Sequence, residues 1–341
     1  MRQLGLATAL YALLAVSILF SARLGYVQIP FQEIWRIVTS AMCGAPGTVH
    51  DATAAIVMDI RIPRILAAVL VGGALGVSGT VFQALLLNPL ADPYTLGISS
   101  GAAFGASLAI VLAVLGITVP KFISIPVLAF AGAIGSLFTV MALASGGQRL
   151  SSTSLILSGV IVSAILSAAI GFMKFLADEQ VGAIIFWLMG SLSAISWDQV
   201  ILVAAATVPC IMVVQLYSRE LNVVATGEKT ARSLGIDTGR LRFLLLAVCS
   251  FWTAIAVSVS GIIGFVGLIV PHLLRHWAGP DNRWLTILSF PAGALLLLAA
   301  DTLTRAVLPS EVPIGVLTAL IGGPFFCFIF KRRQAEMQGG F

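Results

Sequence analysis

Apolar runs of membrane-crossing length recur along nearly the whole chain, separated by short polar connections. They fall at residues 4–24, 62–87, 97–116, 122–145, 153–176, 197–217, 241–260, 262–277, 284–303 and 313–330. Most approach the roughly 20 residues needed to cross about 30 Å of hydrocarbon as a helix. The pattern predicts an all-α integral membrane protein of about ten transmembrane helices, in a single domain over residues 1–341. Run 4–24 is expected to stay as the first span: only Arg2 precedes it, and no Ala-x-Ala cleavage site follows. Residues 183–195 are too short to cross and suit a half-helix or surface helix. The seventh and eighth runs are parted only by Ser260 and Gly261, which predicts a tight turn. In the connection from Gly25 to Ile60, Phe31, Ile34, Trp35, Val38 and Met42 recur at helical spacing. That spacing predicts a short amphipathic helix on the outer membrane surface or packed in the connection.

Charge refines this picture. The chain has 341 residues, 59% of them apolar and 10% charged, where a soluble domain carries about a quarter charged. The net charge of +5 does not point to nucleic acid, because the charges fall in short clusters between apolar runs. With the amino terminus inside, twelve of the nineteen Lys and Arg residues lie on the cytoplasmic side and seven outside. The tail Lys331-Arg332-Arg333 adds to that bias. An even number of spans then places both termini in the cytoplasm. Gly72-x-x-x-Gly76 and Gly101-x-x-x-Gly105 are spacings that let helix backbones approach closely. Cys43, Cys210, Cys249 and Cys327 show no paired spacing and are taken as free.

The longest polar stretch between spans is 218–242, with Arg219, Glu220, Glu228, Lys229, Arg232, Asp237, Arg240 and Arg242. Thr226 is the expected N-cap of a short helix there, with Gly235 as its stop. Leu221, Val223, Val224, Ala225, Leu234 and Ile236 make the stretch more apolar than a free loop requires. No Gly-x-x-x-x-Gly-Lys-[Ser/Thr] occurs, so ATP hydrolysis is not expected of this chain, which is read as a non-enzyme. His272 and His276 lack a third ligand, and no metal site is assigned. The charged residues of the spans, Asp198, Asp301 and Lys174, lie near predicted ends. An ion-coupled secondary transporter, the alternative reading, places a titratable group near mid-membrane. A channel wants a ring of carbonyls or charges, and no such filter motif appears.

Asp59-Ile60-Arg61-Ile62-Pro63-Arg64, Asn88-Pro89-Leu90-Ala91-Asp92-Pro93 and Gly97-Ile98-Ser99-Ser100-Gly101 resemble segments of the FecCD-type permeases. These are membrane subunits of bacterial ABC importers for iron–siderophore complexes, haem and cobalamin. Glu228-Lys229-Thr230-Ala231-Arg232-Ser233-Leu234-Gly235 is similar to that family's coupling segment. Gly261–His272 with Arg275, Trp187–Leu192 and Leu317–Pro324 add further matches, so the resemblance covers about 61–330. It implies a type II importer fold with short cytoplasmic coupling helices, in a bacterial inner membrane.

The implied partners are a second copy of the chain, two ATP-binding subunits carrying ATP and Mg, a periplasmic substrate-binding protein and a metal chelate. No cofactor is implied in the chain itself. Coupling to the ATPase falls to Glu228, Lys229, Ala231, Arg232, Leu234 and Gly235. The resemblance assigns binding-protein docking to Arg61, Arg64 and Arg305, whose guanidinium groups suit paired carboxylates. Snorkelling at helix ends is the competing role for these arginines. Asn88, Pro89 and Leu90 correspond to a cytoplasmic gate. Small and hydroxyl residues on the fifth span, Ser151, Ser152, Thr153 and Ser158, suit the lining of a path for a large ligand.

Overall fold

A computed structural model describes residues 2–25, 27–42, 52–117, 124–145, 151–306 and 312–338. Cys43, Lys121 and Arg149 lie outside them. The described residues form helices and connections, with no strand. In order these are α1 (Arg2–Arg23), α2 (Phe31–Met42), α3 (Ala52–Ala55), α4 (Ile62–Leu85), α5 (Ile98–Val114), α6 (Ile125–Ala144) and α7 (Ser152–Ala177). There follow α8 (Val181–Leu188), α9 (Trp197–Leu216), α10 (Ser218–Ala225), α11 (Glu228–Ser233) and α12 (Thr238–Ser260). The last three are α13 (Val266–Ala278), α14 (Asn282–Ala306) and α15 (Ile314–Gln338). Seven stretches are long and apolar enough to cross a membrane, and α5 and the apolar part of α15 are shorter. With α13 this is the bundle of about ten that hydropathy predicts.

α4 stands at the centre, its apolar window 83% buried. Glycine lets its neighbour come to backbone distance: a Cβ on Gly72 would lie 2.4 Å from the carbonyl oxygen of Gly293 in α14. α5 and α6 pair in the same way, where a Cβ on Gly101 would lie 2.3 Å from the Gly132 carbonyl. Both predicted small-residue spacings thus mark close helix contacts. α1 lies at the edge, only 17% buried, and is tied to α14 by the Ser21–Thr302 hydroxyl pair at 2.8 Å. α2 is the amphipathic helix expected from its spacing: Ile34 and Ile37 are buried, while Phe31 and Trp35 stack on the exposed side.

Two connections enter the bundle. Gly97, at the start of α5, lies against Ser136 of α6 and Gly159 and Ser163 of α7. Ser136 is eight residues before Ala144, the inner end of α6, so the chain climbs about 12 Å before α5 begins. The other lies between α12 and α13. In place of a tight turn at Ser260-Gly261, residues 261–265 run without helix, and α13 starts only at Val266. At 13 residues α13 is about 20 Å long, too short to cross. Its first turn packs on the middle of α4, since a Cβ on Gly267 would lie 3.0 Å from the Leu75 carbonyl.

Irregular backbone inside a membrane protein must find partners within the protein. Here Ser191 N–H donates to the Ser260 carbonyl at 2.8 Å, and Ile314 N–H to that of Gly190 at 3.1 Å. Tyr94 Oη donates to the Ile263 carbonyl at 2.9 Å. The ends of α8 and α12, the start of α15 and the turn before α5 therefore meet in one knot.

Candidate functional site

The polar stretch 218–242 folds as two short helices, α10 and α11, each anchored to a different span. α10 buries Leu221 and Val224, and Asn222 joins it to the start of α14. The Asn222 amide donates to Asp281 Oδ1 at 2.6 Å, and its Oδ1 accepts from Asn282 N–H at 2.7 Å. The turn follows at Gly227, whose φ of 127° favours glycine. Gly227, rather than Thr226, is the N-cap of α11, and Thr226 closes α10. Gly235 ends the segment with φ 83°, as its position predicts.

Glu228 braces α11. Its carboxylate pairs with Arg232 one turn on, and at 3.5 Å with Arg242 of α12, a side chain only 1% exposed. Arg232 Nε also donates to Thr238 Oγ1, at 3.2 Å. A charge pair therefore ties α11 to α12. Ala231 is buried beneath the helix, and Lys229, Leu234 and Gly235 face outward, Leu234 being 67% exposed.

Asn88, Pro89 and Leu90 form the turn after α4. Asn88 N–H donates to the Gln83 carbonyl at 3.2 Å and its Oδ1 accepts from Leu90 N–H at 3.0 Å, so the turn is fixed while Leu87 and Leu90 point out. Asp92 then caps the short helix Pro93–Leu96, accepting from Tyr94 and Thr95 N–H, both at 3.0 Å. A cleft of about 530 Å³ separates this turn from the α10–α11 turn, with Leu87, Asn88 and Pro89 on one wall and Ala225, Thr226 and Gly227 on the other. Arg275 crosses its floor to the Gln83 amide oxygen. The structure thus brings the gate candidates Asn88 and Pro89 opposite the turn that joins α10 to α11.

At the opposite end, Arg61, Arg64 and Arg305 come together but turn inward, each 5–6% exposed. Arg64 Nε donates to Asp301 Oδ1 at 2.6 Å and Arg305 Nε to Oδ2 at 3.2 Å. Arg305 also donates to the carbonyls of Leu24 at 2.6 Å and Ser21 at 2.7 Å. Arg61 donates to the carbonyls of Ala22, at 2.9 Å, and Val27. Helix ends leave their last carbonyls without intrahelical partners, and here two guanidinium groups cap the end of α1. The arginines are neither snorkelling side chains nor open surface charges. Asp301, fully buried, holds Arg64 and Arg305, a role that its place near a predicted span end did not reveal. Its spacing of four from Arg305 was the available signal.

The hydroxyl residues of α7 are not gathered on one lining. Ser151 caps the helix, accepting from Ser154 N–H at 3.0 Å; Ser152 Oγ lies 3.5 Å from the Leu85 carbonyl; Ser158 is buried; and Thr153 is exposed. Short hydroxyls near a helix start meet local backbone groups before anything distant.

A central spanning helix, irregular connections sealed inside the bundle, and a braced pair of short helices beside the turn after α4 are the frame of a multi-pass membrane permease. The chain belongs to the FecCD transport family, whose model matches residues 13–332. It is 37% identical to the hemin transport system permease protein of Yersinia pestis, over 97% of this chain and 96% of that one. It is 43% identical to the cobalamin import system permease protein of Halobacterium salinarum, over 84% and 76%. A metal-chelate type ABC transporter solved in an inward-facing conformation superposes with a TM-score of 0.81 at 29% identity, covering 96% of this chain and 99% of that one. This chain is accordingly a multi-pass permease of an ABC importer.

Proposed function

We propose that two copies of this chain form the membrane path of an importer that carries a bulky metal chelate inward across a bacterial inner membrane. Iron–siderophore, haem and cobalamin are the substrate classes. ATP, with Mg, is hydrolysed on two separate ATP-binding subunits, and a periplasmic binding protein delivers the chelate. Both termini lie in the cytoplasm. The observation that carries the reading is the braced pair α10–α11. Lys229, Leu234 and Gly235 face the ATP-binding subunit, and Glu228 passes its motion through Arg242 to α12. Across the cleft, Asn88, Pro89 and Leu90 act as the inner gate, and Leu90 meets its copy in the second subunit. Thr153, on the exposed side of α7, is the retained lining candidate of its group. At the outer mouth, carboxylates of the binding protein replace the α1 carbonyls as partners of Arg61 and Arg305, with Arg64 held on Asp301.

The test is reconstitution. Vesicles holding the permease alone are expected to take up no hemin or cobalamin under a proton or sodium gradient. Uptake is expected only with the ATP-binding subunit, ATP and the loaded binding protein. Gradient-driven uptake by the permease alone would refute the reading in favour of a secondary transporter.

A further inference from the structure

Phe265 is one of three non-glycine residues with positive φ among the described residues, at 68°. It ends the irregular segment 261–265 and is the N-cap of α13. A left-handed backbone is unfavourable for a residue that carries a Cβ, so the surroundings must hold it there. What holds the ring is α15: a Cβ on Gly322 would lie 2.3 Å from Phe265 Cγ. On that helix Gly322 is followed by Gly323 and Pro324. Proline removes one ladder hydrogen bond, and glycine next to it adds freedom, which together make a site where helices bend.

Beside the ring lies an apolar pocket of about 270 Å³ among α13, α14 and α15, lined by Phe265, Ile269, Leu296, Ala300, Thr318 and Ile321. The pocket is partly open rather than sealed, and its lining residue Ile321 is half exposed. The space is on the order of nine waters by liquid volume, enough to receive an aromatic ring. Two residues before Phe265, the Ile263 carbonyl accepts from Tyr94 Oη, in the short helix Pro93–Leu96 that follows the gate turn. A displacement of the ring therefore has a route to residues 88–96.

We propose that Phe265, Gly322 and the adjoining pocket form a working joint: as the inner half of α15 bends about Gly322–Pro324, the Phe265 ring passes between its seat on Gly322 and the pocket, carrying the gate turn with it through Ile263 and Tyr94. The joint rests on the permease reading and gives α15 two positions rather than a continuous range, as packed elements require.

The experiment fills the pocket from its far wall. In the complete complex with the ATP-binding subunit, nitroxide labels at exposed Ile201 and Phe328 report the position of the inner half of α15. In the unaltered chain the distance is expected to change between nucleotide-free and ATP-bound states. Ala300→Leu is expected to suppress that change and lower uptake of hemin or cobalamin about tenfold, without lowering the unfolding temperature. Adding Phe265→Leu, which shrinks the wedge, is expected to restore both. Wild-type distances and uptake in Ala300→Leu would overturn the proposal, as would a loss that Phe265→Leu fails to restore. An unaltered chain whose labels do not move overturns it too, even if uptake is normal. Import under an ion gradient without ATP would instead count against the permease reading.

Discussion

Three guanidinium groups and one carboxylate share the buried outer end of α4 and α14, and this unequal charge sets what each substitution does there. Asp301 accepts from both Arg64 and Arg305, so replacing it strands two cations at once. Breaking a buried pair by removing one partner costs about 3–5 kcal/mol, because the other charge stays in the interior. Asp301→Ala is therefore expected to lower the thermal unfolding midpoint in detergent by far more than Arg36→Ala, whose exposed pairing with Glu33 at 3.7 Å is worth little. Equal midpoints for the two variants would contradict the cluster. From sequence, arginines at the ends of apolar runs read as interfacial anchors. Nothing in the local pattern states that the carbonyls of α1, about 40 residues or more away, are their partners.

For single elements, legibility followed length and charge. α4, α6, α12 and α14 were plain because long uninterrupted apolar runs allow few other states. α11 was plain because charge breaks such runs, whereas residues 218–225 were not assigned a helix of their own. The irregular segment 261–265 was not plain, since Gly-Ile-Ile-Gly-Phe is as apolar as a helix and hydropathy counts side chains, not backbone hydrogen bonds. Gly261 was assigned to a tight turn, and nothing in the pattern marked the non-helical run beyond it. The coupling element also carries a sharp expectation. Glu228→Gln keeps the size of the side chain but removes the charge that holds Arg232 and Arg242. ATP-driven uptake is expected to fall at least about tenfold while binding of the ATP-binding subunit persists, because the contact face stays and the brace is lost. Loss of binding together with uptake would mean that Glu228 serves contact rather than transmission.

On the scale of the whole molecule, orientation is the property that sequence states through charge alone and that geometry makes testable. Leu234 and Val27 are exposed at opposite ends of the bundle. With the other accessible thiols removed, Leu234→Cys is expected to react with a membrane-impermeant maleimide only in inside-out vesicles, and Val27→Cys only in right-side-out ones. The reverse result would invert the topology and move the coupling helices outside. Hydropathy and the charge bias made the number of spans readable. How the short α13 and the climbing start of α5 fit between full-length neighbours was not readable, because that depends on which backbones share a knot.

The capping of α1 also has a history. The chain leaves the ribosome from its first residue, yet α1 is completed by groups that come late. Arg61 follows the Ala22 carbonyl by 39 residues, whereas Arg305 follows that of Ser21 by 284. At about 5–20 residues per second, the first cap arrives within roughly 2–8 s and the second only after about 15–55 s. For most of its own synthesis the permease therefore holds its first helix by one end of a clasp. Until Arg305 enters, that corner of the nascent chain is open to whatever insertion factors or lipids meet it, and synthesis itself sets the moment of closure.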